Sequence, residues 1–179
     1  MKGILEQYIF ILHTVDQQQG FLLLEDLGAR DYLSALATDT VDDLYGDAVD
    51  ALLRLQVNAQ TAGLPDYDGD LLLREMRLFP EWLLQRHLGL RLSAAQRGML
   101  ETTFAALVEN ALAQPVVCVH RDYHSRNLMV VADNNPGVID FQDAVVGPIS
   151  YDLVSLLKDC YIAWPRQSMM HWLTYFTDN

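Results

Sequence analysis

The chain has 179 residues, 51% of them apolar, with 12 basic residues facing 24 acidic ones for a formal net charge of −12. That length suits one ordinary domain able to bury a core, and that composition excludes disorder. The acidic balance argues against nucleic acid and anionic membranes as partners, since both need clustered Lys and Arg. It is compatible with a Mg²⁺ site, which wants carboxylates.

Cys118 and Cys160 lack C-x-x-C spacing and read as buried thiols of a reducing compartment. Neither a signal-peptide cleavage site nor an apolar run of membrane-spanning length is evident, so the cytoplasm is the expected location. Composition leaves the oligomeric state open.

In chain order, the first strong element is Gly20-Phe21-Leu22-Leu23-Leu24-Glu25-Asp26-Leu27-Gly28. An apolar run between glycines predicts a buried strand ending in a turn. Asp31 is placed to cap a short helix. Val41, Leu44, Tyr45, Ala48, Val49, Leu52 and Leu55 fall at helical spacing, predicting an amphipathic helix stopped by Gly63-Leu64-Pro65. A second helical stretch covers Leu71 to Leu88, interrupted at Pro80. Ser93 caps a third, running to about Ala113 before Pro115.

The texture then changes. Val116 to Val119 is β-like, and a polar loop spans His120 to Asn127. Leu128–Val131 and Gly137–Ile139 flank the turn residues Asp133 to Gly137 and predict a hairpin. Asp152 to Ala163 reads as helix, and another helix follows Pro165. The order predicts an α+β, mostly helical body.

The chemistry sits in His120-Arg121-Asp122-Tyr123-His124-Ser125-Arg126-Asn127 and Val138-Ile139-Asp140-Phe141-Gln142-Asp143. Phosphoryl transfer asks a protein for a carboxylate that orients and deprotonates the attacking hydroxyl, and for oxygen ligands that hold Mg²⁺ on the phosphates. A loop Asp, an Asn five residues on, and a second Asp after the return strand of a hairpin supply all three. His120 and His124 are four apart, but the helix and the following Glu that a zinc motif needs are missing, since Arg121 comes next. Glu75, Phe79 and Trp82 recur at helical spacing and read first as a packed face; Glu75 is also placed to reach an acceptor hydroxyl.

This H-x-D-x(4)-N plus I-D-F-Q-D pattern resembles the aminoglycoside-phosphotransferase family, marked by His124 and by the acidic residue after Asp140-Phe141. Within it, His120 to Pro165 is most similar to bacterial amino-sugar kinases of cell-wall recycling, which phosphorylate the anomeric hydroxyl of N-acetylmuramate or N-acetylglucosamine. The resemblance implies a protein-kinase-like fold with ATP and Mg²⁺ as cofactors and a small molecule as substrate. Asp122 would be the catalytic base, and Asn127 and Asp140 the metal ligands. Glu25, Asp26 and Leu27 would form the hinge that meets adenine. His120, His124 and Asp143 would support the site. Asp152 would fix the catalytic loop from below while capping its own helix.

Such kinases also carry a Gly-rich loop and a strand lysine. The lysines here are Lys2 and Lys158, and neither stands in such a strand. The expectation is therefore an incomplete form: residues 1–28 a remnant of the N-terminal lobe and hinge, residues 29–179 the helical lobe, with the Phe21–Leu24 strand left open to solvent. Kinases for aminoglycosides, choline or homoserine, and a non-catalytic binding remnant, are the alternatives.

Overall fold

The computed structural model describes residues 12–37 and 39–179; Lys2 and the rest of residues 1–11 lie outside the described residues. Strands β1 (Leu12–Asp16) and β2 (Phe21–Leu24) form an antiparallel hairpin. Asp16 closes its turn by accepting from the Gln18 and Gln19 amides, both at 3.0 Å. The sequence signal started at Gly20 because β1 mixes Thr14, His13 and Asp16 among its apolar residues. The buried strand that apolar composition alone predicts over Phe21–Leu24 is instead the solvent-open strand expected of an incomplete form: Phe21 is 66% and Leu23 58% exposed. Pairing with β1 satisfies one edge of β2, but no other described strand joins the hairpin, and a two-stranded hairpin has no second layer of its own to cover its apolar side chains.

Asp31 caps α1 (Tyr32–Ala35), accepting from the Ser34 amide at 2.8 Å. In α2 (Val41–Asn58) the predicted face turns inward, with Tyr45, Ala48, Val49 and Leu52 fully buried. The helix stops well before Gly63, where the Asn58 side chain donates back to the Arg54 carbonyl at 2.9 Å. Asp68 caps α3 (Gly69–Leu78) through the Leu71 amide. The chain then continues as a π-helical turn over Phe79–His87. Pro80 has no N–H to give to an α-helical ladder, so the expected interruption is a change of helical register and not a break. Ser93 and Gln96 form a reciprocal capping box on α4 (Ala94–Leu112).

Three short pairings follow. Strand β3 (Val116–Val119) is delivered by α4, and β4 (Leu128–Met129) pairs with β5 (Gly137–Val138) as the predicted hairpin. Strand β6 (Val145–Pro148) returns antiparallel to β3; its Val-Val pair before Gly147-Pro148 is too short for periodicity to reveal. Helix α5 covers only Tyr151–Leu157, six residues short of the expected end at Ala163, and α6 covers Arg166–Asp178.

The main core packs α2 against α5, α6 and the β4–β5 hairpin through Tyr45, Leu52, Tyr123, Leu128, Leu156 and Trp172. Trp172 stacks on Tyr45 at 4.2 Å between centroids, and Trp164 meets both edge-on at 5.5 Å. Each buried side chain of this size contributes roughly 1.5–3 kcal/mol from area alone. A second cluster, Tyr67, Leu72, Val119 and Val145, joins α3 to the β3–β6 pair. The two clusters hold the ends of β3, β4 and β5, and so fix both polar loops. No helix among the described residues is long and apolar enough to cross a membrane.

Candidate active site

The loop between β3 and β4 is tied to its surroundings at nearly every residue. His124 N donates to the Asp122 carbonyl at 3.1 Å and Asn127 N to the His124 carbonyl at 2.9 Å. The Asn127 side-chain Nδ2 also reaches the Asp122 carbonyl, at 3.0 Å. From below, the buried Asp152 carboxylate accepts from His120 N at 2.7 Å and Arg121 N at 3.0 Å. Burial pushes the Asp152 carboxyl up to about 7, against the pull of those two amides and helped by the charge of Asp122. Arg121, directly before Asp122, sits at φ 77, a left-handed conformation that costs a side-chain-bearing residue about 1–2 kcal/mol. These contacts hold it there.

The second loop follows β5. Ile139 N donates to the Asn127 carbonyl at 3.0 Å, which fastens the two loops together. Asp140 takes φ 70 and accepts from Gln142 Nε2 at 2.6 Å. Asn127, Ile139 and Asp140 then line one cleft of about 550 Å³ with Glu25, Asp26 and Leu27 from the segment after β2. Gly137 allows that segment to approach, since a Cβ there would lie 2.8 Å from a methyl of Leu27. The residues expected at the hinge and at the metal thus share a cavity, although they are a hundred or more positions apart in sequence.

Other predicted residues fall around that cleft without lining it. Asp122 is joined to it through the carbonyl held by Asn127. His120 is buried; its Nδ1 accepts from Asp122 N at 3.3 Å. Burial drives its pKa down to about 4, although the Ile139 backbone and the Asp140 carboxylate favour protonation. His120 is therefore a neutral ring wedged between the loops at pH 7. The His124 ring meets Tyr161 edge-on at 5.5 Å. Asp143 is exposed, and its carbonyl takes a long contact of 3.4 Å from Arg121. Asp152 does not cap its own helix: the N-cap of α5 is Ser150, without a side-chain cap bond, and both Asp152 oxygens serve the loop between β3 and β4.

Sequence reasoning missed Asp159, Tyr67 and the partner of Arg121. Asp159 is buried and holds the Ser125 amide at 2.9 Å and the Ser125 hydroxyl. Reading helix through Ala163 hid it; the early stop of α5 leaves Asp159 in a turn, where its other oxygen accepts from Tyr161 N at 2.8 Å. Tyr67 hydrogen-bonds Glu75, and Glu75 pairs with Arg121. Glu75 had been singled out for a role toward an acceptor, but its oxygens are engaged by this chain.

The donor set suits Mg²⁺. Asn127 uses its NH₂ toward Asp122, which leaves its oxygen available, and Asp140 has a carboxylate oxygen beyond the one held by Gln142. Mg²⁺ takes one or two such protein oxygens and completes its shell with phosphate and water. Among the described residues no three His, Cys, Asp or Glu side chains gather as a metal site of their own, so a ligand-rich zinc centre does not fit.

The sequence pattern described as "Phosphotransferase enzyme family" matches residues 8–178. A Pseudomonas putida protein named N-acetylmuramate/N-acetylglucosamine kinase is 48% identical over 166 residues, covering 93% of this chain and 49% of that one. Its Pseudomonas aeruginosa namesake is 47% identical over 151 residues, covering 84% of this chain and 44% of that one. This chain thus spans about half the length of the curated relatives it matches. An ADP-bound aminoglycoside phosphotransferase superposes with a TM-score of 0.65 at 22% identity, over 95% of this chain and 60% of that one. The fold is therefore the kinase-like one of those enzymes.

Proposed function

This chain belongs to the phosphotransferase enzyme family, and from that premise we propose that it is the catalytic-loop portion of an ATP-dependent small-molecule kinase. The acceptor is an N-acetyl amino sugar phosphorylated at its anomeric hydroxyl, which would place the protein in cell-wall recycling. The observation that carries this reading is the shared cleft of Glu25, Asp26, Leu27, Asn127 and Asp140. Residues 29–179 form the phosphotransferase body, and residues 1–28 carry the hinge.

In this reading the backbone of Glu25 to Leu27 meets adenine. Asn127 and Asp140 hold Mg²⁺, which when bound neutralises charge on the phosphates. Asp122 would take the proton from the acceptor hydroxyl as that oxygen attacks the γ-phosphorus of ATP and the bond to the leaving ADP oxygen breaks, and the Asn127 contact to its carbonyl would keep base and metal ligands in register. His120, Asp152 and Asp159 hold the loop and touch no substrate. The named lining carboxylates, Glu25, Asp26 and Asp140, are acidic, so nucleotide binding is strictly Mg²⁺-dependent and weak in this chain alone.

The test is phosphorylation from labelled ATP, by residues 1–179 and by a chimera in which they replace the matching half of the Pseudomonas putida kinase. N-acetylmuramate, N-acetylglucosamine and kanamycin are the acceptors. Little turnover by the chain alone and an N-acetyl sugar as the best acceptor of the chimera are expected. A clear preference for kanamycin would overturn the acceptor, and a chimera inactive on all three would overturn the kinase reading.

A further inference from the structure

Arg121 is the residue on which three elements meet. Its backbone amide is held by Asp152 at the start of α5. Its guanidinium pairs with Glu75 on α3 and reaches the Asp143 carbonyl, at 3.4 Å, on the loop that carries Asp140. It also lies 5.7 Å from the Tyr67 ring, whose hydroxyl bonds the same Glu75. Tyr67 is in turn fixed to β6 by its amide, at 2.8 Å to the Val146 carbonyl, and packs edge-on against Tyr151 at 5.1 Å. The network closes on itself, since Tyr151 precedes Asp152.

This ion pair differs from two others among the described residues. Arg77–Glu101 and Arg86–Glu81 have side chains more than half exposed, where screening leaves little net attraction. Arg121 and Glu75 are 25% and 27% exposed, so their attraction is screened less. The pair also sits where the backbone needs it. A left-handed arginine does not hold that conformation by its own preference, and the residue it displaces if it relaxes is Asp122.

We propose that Arg121, clamped by Glu75 and Tyr67, is a positioning residue that sets the carboxylate of Asp122 against the Asn127–Asp140 pair. It acts through the backbone and touches neither substrate. The inference rests on the phosphotransferase reading of the site, but its geometric part stands apart from it. A guanidinium that spans α3 and the metal loop also couples the two: movement of α3 shifts the base.

The decisive variant is Arg121→Gly, because glycine accepts φ 77 without strain while removing the clamp. Glu75→Gln is the companion that leaves the loop's own residues untouched. In residues 1–179, the Nδ2 resonances of Asn127 report the bond to the Asp122 carbonyl; they are expected to shift in both variants while the thermal midpoint changes little. In the chimera, Arg121→Gly is expected to lower kcat about 10²-fold, as misplacement of a reacting group does, with KM for ATP and sugar nearly unchanged. Glu75→Gln is expected to move kcat the same way by less. Unmoved Asn127 resonances with unchanged kcat would overturn the proposal, leaving an ordinary structural ion pair. A loss confined to KM would overturn it too, by making Arg121 a substrate ligand. If Arg121→Gly fails to fold, Glu75→Gln decides by the same two readouts. An inactive parent chimera together with shifted resonances would refute the kinase reading while upholding the clamp.

Discussion

The two walls of the cleft are built in opposite ways. On one side, residues 120–127 are tied by Asp152, Asp159, Glu75 and Ile139 to four different parts of the chain. On the other, the hairpin of β1 and β2 leads into Glu25–Leu27 with Val15, Phe21, Leu23 and Leu24 turned to solvent. The wall proposed for the chemistry is over-determined and the wall proposed for the nucleotide is not. A base must stand within a fraction of an ångström of its target, whereas backbone groups that meet adenine tolerate movement and gain from it when a ligand enters and leaves.

The largest effect that can break this comparison is on the chemical wall. In the chimera, Asp122→Asn should lower kcat about 10³-fold, the scale of general-base loss, and leave Mg-ATP affinity nearly unchanged. Asp140→Asn should instead weaken Mg-ATP binding, since it removes the charge of the proposed metal ligand. Calorimetric titration of both variants separates the roles. Equal binding losses would show that base and ligand are misassigned.

Next in size is the anchor beneath the loop. The folded Asp152 pKa of about 7 stands above its ordinary 3.8. Its contribution to stability is therefore full below pH 3.8 and is lost as pH rises through about 7. Asp152→Asn should flatten that decline. It should also cost about 1–3 kcal/mol at every pH, because one of the two amides it serves is left without an acceptor. Thermal melts of both proteins between pH 4 and 8 check the slope and the offset. A slope as steep in the variant as in the parent would mean that Asp152 is ionised throughout.

Comparable in size is the fit between β6 and Tyr67. A Cβ on Gly147 would stand 3.0 Å from Tyr67 Cβ, an atom fixed to the backbone that β6 itself hydrogen-bonds. Gly147→Ala should cost about 1–3 kcal/mol by overpacking. Because the same tyrosine carries Glu75, the melt should be accompanied by shifted Asn127 resonances, which a simple loss of packing elsewhere would not give.

The difference between the walls also explains what was legible in the sequence. Asp122, Asn127 and Asp140 stand out because residue type and spacing match a phosphotransferase pattern locally, and α2 and α4 because apolar spacing and Ser93 mark their faces and starts. The supports do not stand out. Asp159 contacts Ser125 34 positions away and Glu75 contacts Arg121 46 positions away, and no local pattern announces a pair that only the fold creates. β6 was missed for the same reason, being four residues whose partner is β3. The exposed hairpin is the converse case: Phe21–Leu24 has the composition of a core strand, and composition does not say whether a second layer is present to cover it.

The smallest stability effect belongs to that hairpin. Leu23 is 58% exposed and its strand pairs only with β1 among the described residues. Truncating an exposed side chain removes little buried area, so Leu23→Ser should change stability by no more than about 0.5 kcal/mol. Its effect should appear in association instead. An open apolar edge with Phe21 beside it is a template for pairing with another chain, and serine at position 23 weakens that template without touching Glu25 to Leu27. Sedimentation of residues 1–179 across a concentration series should show less self-association in the variant, while thermal melts overlay. A drop in the melting midpoint equal to that of Gly147→Ala would mean that the hairpin is packed after all, and the contrast between the two walls would fall.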